Sequence, residues 1–567
     1  MSVVSYSFLL FLLIVCMVYY IVPKKWQWVV LLAAGIVFYA GAGVSYLAVV
    51  GLTALVVYGC SLLMQKNLDQ QEELLKDADR KAARKIKNEM KHKRKRVLVA
   101  GLIVVIGILV LFKGSDFLIE NLNVLLSHTV HTQISAWKLI APLGISFYSF
   151  MMIAYLVDLY HGKISAQKNF LKYLTYVLYF PHITQGPIGR YDPLGTEMFA
   201  EHRFDYDMFR KGIWLMIWGY FKKLVIADRV APFVTTVIKN APDYSGPIFL
   251  LVGVVYSIQI YCDFSGCMDI VRGSSECLGI RLKENFRRPY FSRNMPEFWR
   301  RWHISLGEFF RENVFYPVST SALFLKLNTA GRKRFGNEWG RNIASCLPIL
   351  CVWILTGVWH GANWNYIGWG VYHGILICLS AMFEQPIKNL MEKAKINTDH
   401  MAFQVFQMIR TFFLCLIGRL IFLGNGLSDS FYMIGSAFCR PQAAYTMKLF
   451  VLRRKEWAFV LVCMMLLLAV SIAQEILERR GINITIRDWL GSRNVIFRGA
   501  VLLAGVLLIL CLCTEQVQVR HSFMSSFKRR NENEYNKKKS AEDGGGHFNL
   551  PVFVDNDHQS ARTAFQT

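Results

Sequence analysis

Charged residues are scarce in this sequence. Only 18% of the 567 residues are Asp, Glu, Lys or Arg, whereas 54% are hydrophobic. A soluble protein of this size would keep a charged exterior around each of its cores. Apolar runs long enough to cross a bilayer, about 20 residues, recur along the chain. The composition therefore argues against an ordinary soluble protein and indicates a polytopic membrane protein.

Signatures of several other protein classes are also absent. The 13 cysteines lie mostly in apolar runs, where cysteine acts as a small hydrophobic residue, so we predict no disulfide framework. No cysteine and histidine spacing is typical of zinc, and we expect no metal site. No G-x-S-x-G motif is present, so a covalent serine mechanism has no support in the sequence.

The net charge of +25 has a membrane explanation. Most lysines and arginines lie in loops between apolar runs, which is typical of cytoplasmic loops that face anionic lipid headgroups. No nucleic-acid-binding motif accompanies this charge. We therefore expect membrane lipids, and not nucleic acid, as the partner of the basic loops.

The apolar runs predict an all-α fold with about 10–12 transmembrane helices, together with re-entrant and amphipathic helices. The expected divisions are N-terminal spans in 1–64, a basic cytoplasmic loop in 65–96, a core in 97–385, C-terminal spans in 386–516, and a polar, disordered tail in 517–567. The basic loop contains alanine and leucine among its charges, so we predict a helix on the cytoplasmic surface.

Some polar features lie at membrane depth. Proline and glycine interrupt the apolar run in 142–148, so we expect protein or water to cover its freed backbone groups. The segment 181–190 is too polar for a lipid-exposed helix. It is predicted to be re-entrant or buried. The apolar run 403–422 contains Arg410 and Arg419, which must face protein or an interface because charge is expensive in the bilayer.

The segment 297–312 is the first candidate functional cluster. As a single helix it is amphipathic, with Trp302 on an apolar face and with Arg300 and Arg301 able to reach headgroups or an anionic ligand. His303 lies at the apolar edge of this helix. The alternative interpretation is a hydrogen-bonded histidine that only locks the helix.

The second cluster, 356–374, is rich in glycine and tryptophan and contains His360 where an apolar run ends. Glycine lets a ligand approach the backbone, and tryptophan suits the membrane interface. A neutral imidazole can take the proton of a hydroxyl that attacks a carbonyl, so we predict that His360 is a general base. The alternative is a histidine whose hydrogen bonds are satisfied by neighbouring backbone.

The third cluster, 261–269, lies at the end of a predicted span. Asp263 and Asp269 are able to orient a histidine or to pair with a nearby arginine. We favour the second kind of role, a structural salt bridge at the membrane boundary.

Together, these clusters resemble the membrane-bound O-acyltransferase family, in particular the branch of the alginate O-acetylation membrane protein. The resemblance covers roughly residues 105–385 and is strongest in 285–290, 298–306 and 357–374. Arg287-Arg288 departs from the pattern of that branch. The resemblance implies a bundle of helices around a central tunnel that joins a cytoplasmic acyl donor to an extracytoplasmic acceptor.

The resemblance also implies the roles of particular residues. The catalytic histidine of the family corresponds to His360, and its second recurrent histidine corresponds to His303. The residues expected to bind substrate are Trp359, Asn363, Trp364, Arg300, Arg301 and Trp302. No tightly bound cofactor is expected, since the acyl donor, acetyl-coenzyme A or a carrier-protein thioester, is a co-substrate.

The function that this resemblance implies is transfer of an acetyl group to hydroxyls of an exported polysaccharide or cell-wall polymer. The expected location is the plasma membrane, with an extracytoplasmic partner similar to SGNH hydrolases. D-alanine transfer to teichoic acid by a related branch fits much of the same motif set. A transporter or flippase is the alternative from another class, because transporters also have broken helices and buried polar groups.

Overall fold

The computed structural model describes residues 2–129, 133–439, 452–482 and 484–510. The predicted tail, 517–567, lies outside the described residues. The described residues fall into two units, one up to Arg498 and the other from Gly499 onward. The described part of the chain is helical and contains no β-strand, although an isolated antiparallel bridge joins Phe286 and Trp302.

The α-helices are numbered in chain order. They are α1 Tyr6–Ile21, α2 Gln27–Ala40, α3 Val44–Leu75, α4 Arg80–Thr129, α5 Ile145–Tyr160, α6 Phe170–Val177, α7 Tyr191–Phe199, α8 Tyr206–Tyr220, α9 Asp228–Lys239, α10 Ile248–Cys277, α11 Met295–Arg301, α12 Ile304–Phe310, α13 Tyr316–Ser319, α14 Ala322–Phe335, α15 Asn337–His360, α16 Trp364–Lys393, α17 Met401–Leu423, α18 Leu427–Cys439, α19 Arg454–Arg479, α20 Ile486–Gly491 and α21 Val495–Leu510. Two π-helical segments, Phe221–Ala227 and Arg311–Phe315, follow α8 and α12.

Seven of the described helices are long and apolar enough to cross a membrane, namely α3, α4, α10, α15, α16, α17 and α19. Three shorter apolar helices are α1, α5 and α21. A chain with this many apolar helices is a multi-pass membrane protein, and the prediction of an all-α polytopic fold is confirmed.

The charged region 65–96 differs from the predicted surface helix. Helix α3 continues to Leu75 and α4 begins at Arg80, so most of the charge lies on the ends of two long helices. Arg94 of α4 donates to the Gln71 side chain of α3 over 2.8 Å. The alanine, leucine, lysine and glutamate of this region are good helix formers, which explains why helical structure continues beyond the apolar runs.

Interlocking glycines bring α8 and α10 into close contact. A Cβ atom at Gly219 would lie 2.5 Å from the carbonyl oxygen of Gly266, so neither helix tolerates a larger residue here without a shift. The π-helical segment after α8 consequently lies along α10. Lys222 Nζ is 2.8 Å from Asp269, and Lys223 Nζ is 2.5 Å from Asp263. The predicted structural ion pairs of the third cluster are therefore present. The principal partners of the two aspartates are lysines, and not the arginine or histidine that the sequence suggests.

The segment 181–190 is largely buried and not helical, which agrees with the predicted buried segment. Arg190, the last residue of the segment, forms ion pairs with Asp158 at 2.5 Å and with Glu312 at 2.6 Å. Gly144, with φ of +68°, precedes α5 and packs so closely that a Cβ atom would lie 2.0 Å from the Ile183 carbonyl oxygen. Protein therefore covers the broken backbone, as it must at membrane depth.

Candidate active site

The first cluster is not the single helix that its sequence predicts. Helix α11 ends at Arg301 and α12 begins at Ile304, and His303 between them has φ of +47°. The backbone NH of Ile304 donates to the Asn285 carbonyl over 3.0 Å, next to the Phe286–Trp302 bridge. The left-handed conformation costs about 1–2 kcal/mol for a non-glycine residue. These tertiary hydrogen bonds hold it, and they direct His303 into the protein.

Asn285 also orients the His303 side chain. Its Oδ1 accepts from the backbone NH of Ser305 over 2.8 Å, and its Nδ2 lies 3.3 Å from His303 Nδ1. His303 is only 3% exposed and lies outside the spanning helices, and burial lowers its pKa to about 3. The imidazole is therefore neutral at pH 7. Its Nε2 has no hydrogen-bond partner among the described residues.

His360 is the last residue of α15 and is half-buried. Its ring packs edge-on against Trp369 and Phe422, with centroids 5.0 and 5.2 Å away, and against Trp359 at 4.5 Å. Within the described residues, its nitrogens form no hydrogen bond. The neighbours of His360 are thus aromatic, and its polar atoms are left for a ligand or water.

The structure brings the two predicted histidines together through Trp359. The centroid of this indole lies 4.5 Å from the His360 ring and 5.9 Å from the His303 ring. Phe150 stacks on the same indole at 6.0 Å. Both histidines therefore face a common aromatic wall, although 57 positions separate them in the sequence (360 − 303).

Lys113 is a residue of this site that the sequence interpretation missed. Its Nζ donates to the carbonyl oxygen of Trp359 over 3.1 Å and to Ser146 Oγ over 3.3 Å. A cation at the C-terminal end of α15 is favourable because unpaired carbonyls accumulate there. The available signal was a single lysine directly after the apolar run 97–112, in a helix that can span the membrane.

His373 is a third histidine and also belongs to the second cluster, 356–374, but the sequence assigned it no role. It is buried among Trp299, Trp353 and Trp369, with centroids 4.9, 5.5 and 5.0 Å away. Gly418 allows α17 to approach this ring, since a Cβ atom there would lie 2.5 Å from His373 Nε2. We call the group formed by Trp299, His303, Trp359, His360, Trp369 and His373 the histidine–tryptophan cluster.

Buried polar atoms without a hydrogen-bond partner concentrate in this cluster. In the described part of the chain they include Trp299 Nε1, His303 Nε2, Trp359 Nε1, Trp369 Nε1 and His373 Nδ1. Folded proteins pair the great majority of such atoms, so a concentration of unpaired ones needs an explanation. A polar ligand or water in the cluster supplies one.

The other predicted substrate-binding residues lie in different surroundings. Trp302 is buried beside His303, and Asn363 is half-buried at the start of α16. Trp364 is 52% exposed and donates to Asn121 Oδ1 of α4 over 3.2 Å. Arg301 forms an ion pair with Glu475 of α19 at 3.0 Å. Arg300 is exposed. Among the described residues, no group of three or more His, Cys, Asp and Glu is placed to hold a metal.

An apolar pocket of about 220 Å³ lies beside the cluster and shares Trp353 with the surroundings of His373. Its lining residues are Gly307, Arg311, Phe315, Ile349, Val352, Trp353 and Ile377. The pocket therefore places an apolar surface next to the polar atoms of the histidine–tryptophan cluster.

The fold defines a helical membrane protein, and the histidine–tryptophan cluster is its candidate site. The model of the MBOAT, membrane-bound O-acyltransferase family matches residues 162–331, which include His303. Together with the similarity to a teichoic acid D-alanyltransferase described next, this match shows that the chain belongs to the membrane-bound O-acyltransferase family. The family resemblance predicted from the motifs is confirmed.

Three relatives illustrate the similarity. The probable alginate O-acetylase AlgI of Pseudomonas syringae pv. tomato is 32% identical over 60% of this chain and 60% of its own length. The peptidoglycan O-acetyltransferase of Helicobacter pylori is 30% identical over 51% of this chain and 56% of its own length. The teichoic acid D-alanyltransferase of Bacillus subtilis is 30% identical over 51% of this chain and 70% of its own length. The chain thus spans about three fifths of the length of the alginate O-acetylase relatives.

Proposed function

We propose that this chain is an O-acyltransferase of the plasma membrane. It transfers an acetyl group from a cytoplasmic thioester to a hydroxyl of an exported polysaccharide or cell-wall polymer. The observation that carries the proposal is the half-buried His360 imidazole, which has aromatic neighbours and no hydrogen bond to another described residue. The names of two relatives, an alginate O-acetylase and a peptidoglycan O-acetyltransferase, support acetyl as the group.

In the proposed reaction His360 acts as a general base. It takes the proton of the acceptor hydroxyl while the oxygen attacks the thioester carbonyl. The carbon–sulfur bond then breaks, and the leaving thiolate receives the proton from the His360 imidazolium. The products are an ester and a thiol, and His360 is neutral again. His303 and Trp359 position the donor or acceptor beside His360. Asn363 and Trp364 lie at the start of α16.

The donor is proposed to be a co-substrate, acetyl-coenzyme A or a carrier-protein thioester, with no resident cofactor. An extracytoplasmic protein similar to SGNH hydrolases is proposed to complete delivery to the polymer. The support for both is the family resemblance of the motifs around His303 and His360.

D-alanyl transfer is the second candidate for the reaction. The observation that favours it is the 30% identity with the teichoic acid D-alanyltransferase of Bacillus subtilis, which is matched over 70% of its length. The chemistry at His360 is the same for both acyl groups. The released acid distinguishes them, because mild base frees acetate from one ester and D-alanine from the other.

The test is made in the native cell with His360→Ala, and with the exposed His92→Ala as the matched control. We expect acid released from the surface polymer to fall about 10²- to 10⁴-fold in His360→Ala, which is the usual contribution of a general base. Mass spectrometry measures the acid, and immunoblotting confirms equal amounts of protein. Unchanged acylation in His360→Ala would show that the proposed mechanism is wrong.

A transporter would behave differently in liposomes. It would move an unmodified substrate equally well with His360→Ala, and it would show no transfer from either thioester donor. That pair of results would replace the acyltransferase proposal.

A further inference from the structure

Arg419 of α17 is a buried cation in the wall of the histidine–tryptophan cluster. Arg419 is only 3% exposed, and its guanidinium carbon lies 4.5 Å from the centroid of the Trp302 ring. Its Nε and Nη2 have no hydrogen-bond partner among the described residues. No carboxylate of a described residue forms an ion pair with it.

Two other cations of the described chain, by comparison, have carboxylate partners. Lys222 pairs with Asp269, and Arg190 pairs with Asp158. Tyr256 has two charged neighbours, Arg419 and Asp263. Asp263 forms its ion pair with Lys223, at 2.5 Å, and not with Arg419. The described residues therefore supply a carboxylate partner to Lys222 and to Arg190 but none to Arg419.

The position of Arg419 connects it with the proposed reaction site. Phe422, one helical turn further along α17, packs on the His360 ring at 5.2 Å. Gly418, the preceding residue, lies against His373. The guanidinium interacts electrostatically with both His360 and His373. Arg419 thus faces the same interior space as the histidines.

A guanidinium without a counterion is costly to bury, because it loses the hydration that stabilised its charge. The Trp302 face offsets part of this cost through a cation–π interaction, and the Tyr290 hydroxyl is within hydrogen-bonding reach. Neither of them carries the negative charge that would balance the arginine. An anion that enters the cluster would meet two unused donors and a positive charge already in place.

We propose that Arg419 binds an anionic group of a substrate, a carboxylate or a phosphate, next to His360. A guanidinium presents donors in a planar fork that matches both groups. The group has two sources, a phosphate of the thioester donor or a carboxylate of the polymer acceptor. The inference rests on the proposed function for its claim that the anion belongs to a substrate, whereas binding of the anion is tested without catalysis.

The experiment uses the full chain in nanodiscs with Arg419→Met and Arg419→Lys. Arg410→Met is the matched control, since Arg410 is an exposed arginine of the same helix that donates to the Arg293 carbonyl. Binding is followed by thermal unfolding and titration with four probes. Coenzyme A and its phosphate-free analogue pantetheine test the donor, and a glucuronate oligosaccharide and its methyl ester test the acceptor.

We expect one anionic probe to stabilise the wild type and its neutral analogue to stabilise it less. The Kd of that probe should rise roughly 10- to 100-fold in Arg419→Met, as for the loss of a charged hydrogen bond. Arg419→Lys should retain part of the affinity, and Arg410→Met should bind as the wild type. The ligand-free Arg419→Met protein should melt at a higher temperature, because an unbalanced buried charge has been removed.

Two results would overturn the inference. The first is that none of the probes stabilises the wild type. The second is that Arg419→Met melts at a lower temperature than the wild type and binds every probe with unchanged affinity. The second result would assign Arg419 to packing on Trp302. His360→Ala should keep the anion-dependent stabilisation while losing acylation, so failure of the catalytic proposal is distinguishable from failure of this one.

Discussion

Arginines in two regions of the molecule differ in how the fold balances their charge. At the end of α19, Glu475 lies 2.9 Å from Arg288 and 3.0 Å from Arg301. Glu478 also pairs with Arg287 and Arg288. We call these five residues, together with Arg479, the α19 ion-pair group. In the histidine–tryptophan cluster, by contrast, Arg419 has no ion pair with a described residue.

The difference separates two uses of a positive charge. In the α19 ion-pair group the carboxylates are part of the chain, so the arginines fasten α19 to the segment before α11 and to α11 itself. The ion pairs of Arg287 and Arg288 with α19 give a structural reason for the presence of two arginines at a place where the sequence departs from the pattern of the alginate O-acetylation branch. Arg419 has no carboxylate partner among the described residues, and we infer that its charge is available to a ligand.

The largest expected effect on stability is that of Glu475→Gln. Glu475 is buried and accepts from Arg288, Arg301 and Arg479, so the change leaves three arginines without their shared carboxylate. The free energy of unfolding should fall by about 2–3 kcal/mol, less than for a fully buried pair because the arginines are partly exposed. Thermal unfolding in nanodiscs measures this change.

The matched control for that prediction is Glu456→Gln on the same helix. Its partner Arg453 is largely exposed, so the ion pair should contribute about 0–1 kcal/mol. Equal losses of stability in the two variants would contradict the assigned difference. Opposite changes in melting temperature for Glu475→Gln and Arg419→Met would sharpen the comparison.

Asn285→Ala should have an intermediate effect, chiefly on turnover. The change removes the acceptor of the Ser305 NH and the neighbour of His303 Nδ1. We expect kcat to fall about 10- to 100-fold with a smaller change in KM, because the His303 ring loses its fixed orientation. Acyl transfer by reconstituted protein provides the measurement, and Asn313→Ala, whose side chain donates only to the Phe309 carbonyl of the preceding helix, is the control.

A purely structural role of Asn285 would give a different result. Asn285→Ala would then melt at a lower temperature, and the folded fraction would turn over at the wild-type rate. That outcome would remove His303 from the proposed site while leaving the role of His360 untouched.

The smallest expected effect is that of Lys113→Met. Loss of the hydrogen bond to the Trp359 carbonyl should slow acyl transfer about 2- to 10-fold, the value of an ordinary hydrogen bond, because Lys113 acts on His360 only through the Trp359 backbone. Lys113→Arg should restore part of the rate, since it keeps a donor and a charge at the end of α15. If both variants transfer at the wild-type rate, Lys113 does not position the Trp359–His360 backbone.

Much of the helical fold was accessible from the sequence. The apolar runs located the spanning helices, although the helices extend further, as α3 does from the predicted end at Met64 to Leu75. The segment 297–312 was wrongly predicted as one helix. Its hydrophobic pattern has a helical period, but tertiary hydrogen bonds from Asn285 interrupt it at His303. Periodicity reports local preference and contains no information about a partner elsewhere in the chain.

The candidate site was predictable in part. His360, His303 and Trp359 stood out because their motifs combine histidine, glycine and tryptophan, and the structure places them together. Lys113 was missed and His373 received no role, since each is a single residue in an apolar helix. Arg419 was recognised as a charge that must avoid lipid, but its lack of an ion pair was not predictable, because pairing depends on which acids other helices bring near.

The sequence alone determined that this is a helical membrane protein, because hydrophobicity and length are properties of each segment by itself. It also determined the candidate histidines, through motifs that resemble the membrane-bound O-acyltransferase family. The tertiary structure decided how His303 is held, which aromatic wall the histidines share, and which arginines have carboxylate partners. These depend on close packing between segments far apart in the chain, and local sequence does not specify such contacts.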